Sequence, residues 1–427
     1  MLHGTHRRSA GDAPGPVTNV DVAIVGGGMV GASLALALMG SGVTTLLVEA
    51  TTPGSAAQPS FDERTTALGN ASRRIFQGLG VWQRIAPEAA AIRAIHVSDA
   101  GRFGFARLSA EEQGIEAFGY VVANRVIGAA LWEKLQGAND VLLRVPARPD
   151  RVEIDSDGVG FSLSGVTGPV ERVSARLVVA ADGAQSMVRA AADISADIED
   201  YGQTAIVANV IADRPHDGTA YERFTPSGPV AVLPLRDGSH GVIWTCDPVR
   251  AAQILSLDER RFLQQLQNRF GWRAGHFVRA GLRASYPLKL TRAAETIALR
   301  TVLIGNAAQA LHPVAGQGFN LGLRDAAMLA EVIVGARADA GPACDAGSEV
   351  SLRRFADWRA GDRRGVVRFT DGLVKLFGDA RPGVGLLRNL GLLLFDLAPP
   401  AKSALARVSA GFAGPTPRLA RGLGVRP

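Results

Sequence analysis

The sequence predicts a mixed α/β (α+β) chain: a mostly parallel sheet layered with helices, a second lobe rich in β-strand, and a helical C-terminal region. Three observations predict it. Short apolar runs at Asp21–Val25, Arg176–Ala181 and Thr301–Ile304 each give way at once to small residues, as buried parallel strands do where they enter turns. Residues 202–246 carry strand-like segments at Thr204–Ile211, Val230–Leu235 and Gly241–Thr245. Residues 351–410 read as helical, with Pro399 and Pro400 breaking the pattern.

The elements follow in order. Residues 1–19 contain Gly, Pro, Ser, His and Arg without an apolar run, so they read as a disordered leader and not as a signal peptide. After the first strand, Ala32–Met39 is apolar nearly all round, as suits a helix packed under a sheet. Val43–Val48 is the second strand. From Val141 to Val179, apolar residues alternate and are spaced by turns such as Asp155-Ser-Asp-Gly158, which reads as a β-meander. A helix is expected over Asp258–Phe270 and another over about Gln317–Arg337. The stretch Leu386–Leu397 has leucines at near-helical spacing. It reads as a core-packing helix ahead of an interfacial helix on an anionic membrane.

Composition narrows the function. The chain has 427 residues, enough for a large core. Its net charge of +6 comes from scattered arginines without aromatic clustering, so no nucleic-acid partner is expected. Cys246 and Cys344 are far apart, and the seven histidines form no metal-binding spacing, so neither a disulfide framework nor a metal is expected. No apolar run has transmembrane length.

Three motifs carry chemistry. The first is Gly26-Gly-Gly28-Met-Val-Gly31, a G-x-G-x-x-G between strand and helix, which makes this a Rossmann-like unit. Gly26 permits the turn, Gly28 lets a pyrophosphate approach the backbone, and Gly31 lets helix and strand close up. Glu49 ends the next strand, about 20 residues on, where an acidic residue binds ribose hydroxyls. The second is Asp182-Gly183 with Ser186. By itself it reads as an Asp-Gly turn with a helix cap. The third is Gly305-Asn306, followed by His312-Pro313 and Gly316-Gln317-Gly318-Phe319-Asn320. By itself it is an ordinary glycine-rich connection whose helix N-terminus favours negative charge, and His312 reads as structural.

In this order the motifs resemble the class A flavoprotein monooxygenases, the group with the para-hydroxybenzoate hydroxylase fold. The resemblance runs from about Val20 to Gly422. Within that class the chain is similar to the ubiquinone-biosynthesis hydroxylases. The similarity rests on residues 61–68, Ala123-Asn-Arg-Val-Ile127, Tyr201-Gly-Gln203, Glu222-Arg-Phe-Thr225, Gly228-Pro229 and Leu233-Pro-Leu235. The third motif is most similar to the 2-octaprenyl-6-methoxyphenol hydroxylase branch.

The resemblance implies a discontinuous FAD-binding domain over residues 20–93, 119–190 and 285–370. It implies a substrate domain over 94–118 and 191–284, and a helical region over 371–427. Gly26, Gly28, Gly31 and Glu49 would hold the ADP half of FAD, with Arg64 and Arg125 along the pyrophosphate and ribityl side. Asp182 and Gly183 would lie near the flavin and a transient NAD(P)H. Gly305 and Asn306 would meet the ribityl chain, Asn306 standing where most of the class has Asp. Pro313, Gly316, Gln317, Gly318, Phe319 and Asn320 would face the isoalloxazine ring. No second G-x-G-x-x-G follows a strand, so NAD(P)H has no Rossmann unit of its own.

The implied reaction uses NAD(P)H and O2 to hydroxylate a polyprenylated phenol through a flavin C4a-hydroperoxide, with no catalytic base assigned. Implied too are a cytoplasmic location, a biosynthetic complex and the inner membrane surface as partners. The alternatives are another FAD oxidoreductase on this scaffold, such as a prenyl-chain reductase, and a non-catalytic FAD-bearing subunit.

Overall fold

The computed structural model describes residues 17–55, 64–165, 170–311, 316–378, 398–412 and 416–426, with Gly391, Asp396 and Gly414. Residues 1–16 of the leader, residues 61–63, His312, Pro313 and nearly all of Leu386–Leu397 lie outside them.

The apolar runs pair side by side. Val17–Val25 lies at the centre, parallel to Glu171–Ala180 on one side and Thr45–Val48 on the other. Thr301–Leu303 continues the parallel sheet beyond Glu171–Ala180, and Val141–Arg144 continues it beyond Thr45–Val48. Alternate residues point to opposite faces. Val22, Ile24, Leu47, Leu177, Val179 and Val302 join a core shared with helices Met29–Leu38, Asn124–Gln136 and Gln317–Ala340. Ala23, Val25, Leu46, Val48, Val178 and Ala180 join a second core, closed by Val159, Phe161 and Leu163 of the meander. Both faces are buried, which is why these strands read as continuous apolar runs and not as alternation. Each Val, Leu or Ile side chain so buried contributes roughly 1.5–3 kcal/mol.

The second sheet has eight strands, in the order Gln309–Ala310, Phe277–Ala293, Ala196–Ala212, His240–Cys246, Val230–Pro234, Thr219–Phe224, Ala94–Asp99 and Phe105–Ser109. Here the period is two. Ile206, Ala208, Val230, Val232, Val242 and Trp244 pack against helices Pro248–Leu255 and Glu259–Phe270. Their neighbours Ala205, Val207, Ala231, Leu233 and Ile243 face the other way and line a cavity. Thr65–Gly69, Gly119–Ala123 and Ala90–Ile92 form a third, three-stranded sheet.

Several expectations shift. Val17–Asn19, assigned to the leader, are strand residues paired with Arg172–Ser174, because the central strand extends along its partner. Thr219–Phe224 and Phe277–Ala293 are strands that sequence reading left out. The expected division at 284/285 falls inside the second of these. Phe277–Ala293 pairs along almost its whole length with Ala196–Ala212, with register shifts that leave both faces partly exposed. Pro399 and Pro400 begin the helix Pro399–Ser409, where a missing N–H costs nothing.

One buried ionic cluster ties the helical layer together. Helices Gln317–Ala340 and Glu349–Gly378 face each other through it. Arg359, fully buried, donates to Asp325 at 2.7 Å and also bonds Asp362, and Arg324 donates to Asp362 at 2.8 Å. Burial raises the Asp362 carboxyl, but Arg324 and Arg359 outweigh it and hold the group below the usual carboxylate range. Removing one partner from such a cluster strands an uncompensated charge. Arg359→Leu is therefore expected to lower the unfolding free energy by roughly 3–5 kcal/mol, read from the midpoint of a urea transition.

Candidate active site

Four chain segments reach one place because four adjacent parallel strands end there. In sheet order, Leu303 leads to Gly305-Asn306, Ala180 to Asp182-Gly183, Val25 to Gly26–Gly28, and Val48 to Glu49. Each turn is tied to the neighbouring strand: Ile304 N–H donates to Ala180 O at 3.0 Å, Ala181 N–H to Val25 O at 2.8 Å, and Gly26 N–H to Val48 O at 2.8 Å. The crevice beyond the carboxyl ends of such strands is where open α/β sheets bind ligands.

The glycines are needed for space. Gly26 has φ +103°, and a Cβ there would lie 2.4 Å from Ala181 O. At Gly31 a Cβ would lie 1.9 Å from Gly26 O, so Gly31 serves the turn by packing and does not itself line the cavity. Gly27 is constrained as well, although the motif leaves that position open. A Cβ there would lie 2.6 Å from the Trp132 ring and 2.8 Å from Glu49 Cβ. Trp132 Nε1 donates to Gly27 O at 3.0 Å, and Gly27 N–H donates to Glu49 Oε2 at 2.6 Å. Glu49 also accepts from Thr51 N–H at 2.8 Å, yet burial dominates and pushes its carboxyl up.

Beyond Gly28, helix Met29–Leu38 starts with no side-chain cap and no acidic residue in its first turn. Its positive end therefore meets the cavity without a capping side chain of its own. Helix Gln317–Ala340 begins in the same way behind Gly316, which is left-handed at φ +60°.

Asp182 forms the expected turn and also presents an oxygen to the cavity. Its Oδ2 accepts from Met187 N–H at 2.9 Å and Ser186 caps the short helix Met187–Ala191, as an Asp-Gly turn would have it. Its Oδ1 is buried without a partner among the described residues, and burial raises the carboxyl. Asn320 is mostly structural. Its amide oxygen accepts from Gly69 N–H at 2.9 Å and Ser72 Oγ at 2.6 Å, and its nitrogen donates to Ala67 O and Gly316 O. Asp325, which sequence reading missed, holds the third motif in place. It accepts from Gly305 N–H at 3.3 Å and Gln309 Nε2 at 3.0 Å, backed by Arg359.

These segments open on a single cavity of about 1460 Å³. Gly26, Gly28, Glu49, Asp182 and Gly183 line it, as do Gly305, Asn306 and Gly316–Asn320. Arg64 lines it too, with its guanidinium 4.6 Å from the Tyr286 ring centroid. Arg125 does not line it; it is exposed in the first turn of helix Asn124–Gln136, whose Asn124 lines the cavity instead. The cavity continues onto the inner face of the second sheet, an apolar wall of Val97, Leu108, Val207, Leu233 and Ile243 that Phe118 extends and that reaches Leu405 near the C-terminal end. Of Tyr201, Gln203, Glu222 and Arg223 in that lobe, only Glu222 lines it. Tyr201 instead bonds Asp371, and burial pushes its hydroxyl up to about 12.

A dinucleotide flavin fits these residues. Uncapped helix N-termini suit a pyrophosphate and an anionic ring edge. The unpartnered Asp182 oxygen is a free acceptor. The volume exceeds the roughly 300–1,000 Å³ of pockets for one small ligand.

Comparison with known proteins agrees. Residues 19–352 match the FAD binding domain family. The chain is 38% identical to the ubiquinone hydroxylase UbiL of Rhodospirillum rubrum, over 97% of each chain. It is 31% identical to the 3-demethoxyubiquinol 3-hydroxylase of Escherichia coli, over 92% of this chain and 98% of that one. Its fold resembles the crystal structure of p-nitrophenol 4-monooxygenase PnpA from Pseudomonas putida, with a TM-score of 0.74 at 22% identity over 93% and 99% of the two chains.

The Gly27 geometry gives a test that the motif alone does not. Gly27→Ala is expected to lose about 1–3 kcal/mol of stability through overpacking and to retain less FAD on purification. The checks are urea unfolding and the flavin-to-protein absorbance ratio. Gly335→Ala, in open space on helix Gln317–Ala340, is expected to reduce neither.

Proposed function

The chain belongs to the FAD binding domain family, and from that premise we propose that it hydroxylates the ring of a polyprenylated phenol in ubiquinone biosynthesis. It is an FAD-dependent monooxygenase that uses NAD(P)H and O2. The observation that carries the substrate class is the continuity of one cavity from the glycine-rich turn to an apolar wall. A prenylated ring needs both regions at once.

When bound, FAD supplies the redox chemistry, taking electrons from NAD(P)H and activating O2 for transfer of one oxygen atom. The chain's own residues do the rest. The start of helix Met29–Leu38 offers backbone donors to the pyrophosphate. The start of helix Gln317–Ala340 places positive potential at the flavin side of the cavity. Ile92, Val97, Leu108, Phe118 and Leu233 exclude water around the ring and give the prenyl chain an apolar path toward Leu405.

The finer assignments belong to the same proposal. Gly26, Gly28, Gly31 and Glu49 serve the ADP half, Arg64 the pyrophosphate side, and Asn306 the ribityl chain. Among the described residues no helix is long and apolar enough to cross a membrane. We place the enzyme at the inner membrane surface, in a biosynthetic complex, because so apolar a substrate must be drawn from a lipid phase or a lipid-carrying partner.

The purified yellow protein is expected to oxidise NAD(P)H in an oxygen-dependent way, faster with a short-chain prenylphenol present. Mass analysis should find a product gaining one oxygen atom on the ring. Bound FAD without phenol-dependent turnover would favour a reductase or a non-catalytic subunit.

A further inference from the structure

We propose that the Glu222 carboxylate is the hydrogen-bond acceptor that anchors the ring hydroxyl of the substrate and so fixes how the ring sits in the cavity. The proposal rests on the phenol-hydroxylase reading above and names the residue that reads the hydroxyl.

Four observations carry it. The strand Thr219–Phe224 alternates: Ala220, Glu222 and Phe224 line the cavity, while Tyr221, which also borders it, turns its ring onto Phe270 and the helical core. Glu222 is therefore on the wall by pleat geometry. Its cross-strand neighbours are Val97 and Ala231, both apolar and both lining the cavity. Its carboxylate has no hydrogen bond or ion pair among the described residues. A half-buried carboxylate left without a partner on an apolar wall costs stability unless something else binds there.

The surrounding charges do not answer it. Lys289, on the strand Phe277–Ala293, is paired with Asp200 at 3.4 Å, and Arg64 lies over the Tyr286 ring. Glu49, Arg148 and Asp182 line the cavity from the parallel-sheet domain. The carboxyl is pushed up to about 7 by burial alone. It ionises within the working range, and once ionised it accepts a hydrogen bond more strongly than any neutral group on that wall.

A phenol brings the missing donor. Its hydroxyl keeps its proton below a pKa of about 10, so near neutral pH it meets the carboxylate as a donor. With the oxygen held on the strand and the prenyl chain in the apolar path, the ring has little freedom to turn.

Calorimetric titration of the FAD-loaded, full-length enzyme tests this, with 2-prenylphenol and its methyl ether as probes, below and above pH 7. Wild type is expected to bind the phenol about tenfold more tightly above pH 7 than below it, and the ether with no such gain. Glu222→Gln should still bind the phenol but lose the pH dependence, and Glu222→Asp should keep part of it. A pH-dependent gain that survives in Glu222→Gln, or that the ether shares, overturns the proposal. Wild type that binds neither probe overturns the phenol-hydroxylase reading itself, and the proposal with it.

Discussion

The structure turns on a steric constraint: the carbonyl of Gly26 must lie where the side chain of residue 31 would otherwise be. Only then can strand Val17–Val25 give way to helix Met29–Leu38 in three residues and still keep the helix against the sheet. That closeness sets the helix N-terminus over the carboxyl ends of the strands. The Asp182 turn and the Gly305 turn approach the same spot because their strands flank the central one. The binding crevice is thus a consequence of strand order and of two missing Cβ atoms.

What sequence could show follows from how local each signal is. The first two turns were legible because each is a strand, a turn and a helix start in nearly consecutive residues, and the third from its glycines, although strand Gln309–Ala310 stands between its turn and its helix. Glu49 was legible from its distance to Gly26 and its place at a strand end. Strand Phe277–Ala293 was not read, although Val278, Ala280, Leu282, Ala284, Tyr286, Leu288 and Leu290 fall at every second position; Gly281 and Pro287 in its interior weaken a strand assignment, and both its faces are partly exposed. Asp325 was not, because its partners Gly305, Gln309 and Arg359 meet it only in the folded chain. Gly27 escaped notice because what forbids a side chain there is Trp132, far along the sequence. Asn320 stands in a motif read as facing the cofactor, yet its amide is spent joining the third motif to Thr65–Gly69 and Ser72.

Charge is used in two opposed ways. The Arg324–Asp325–Arg359–Asp362 cluster is buried with its charges paired, so it fixes the relation of two helices and the Gly305 turn with little net effect on stability. Glu49, Asp182 and Glu222 are raised by burial and concentrated in the cavity. Strain of that kind belongs where a ligand relieves it.

The sheet order also has a consequence for synthesis. Thr301–Leu303 pairs beside Glu171–Ala180, although the whole of the second lobe lies between them in the chain. As the polypeptide emerges from the ribosome, Glu171–Ala175 can pair at once with Val159–Leu163, but the edge of the strand's end at Val178–Ala180 stays open until that lobe has been made. It is apolar and carries unpaired backbone groups, the kind of edge on which other chains pair. A nascent chain stalled before Thr301 therefore presents the end of that strand as an unpaired edge on which another chain can pair.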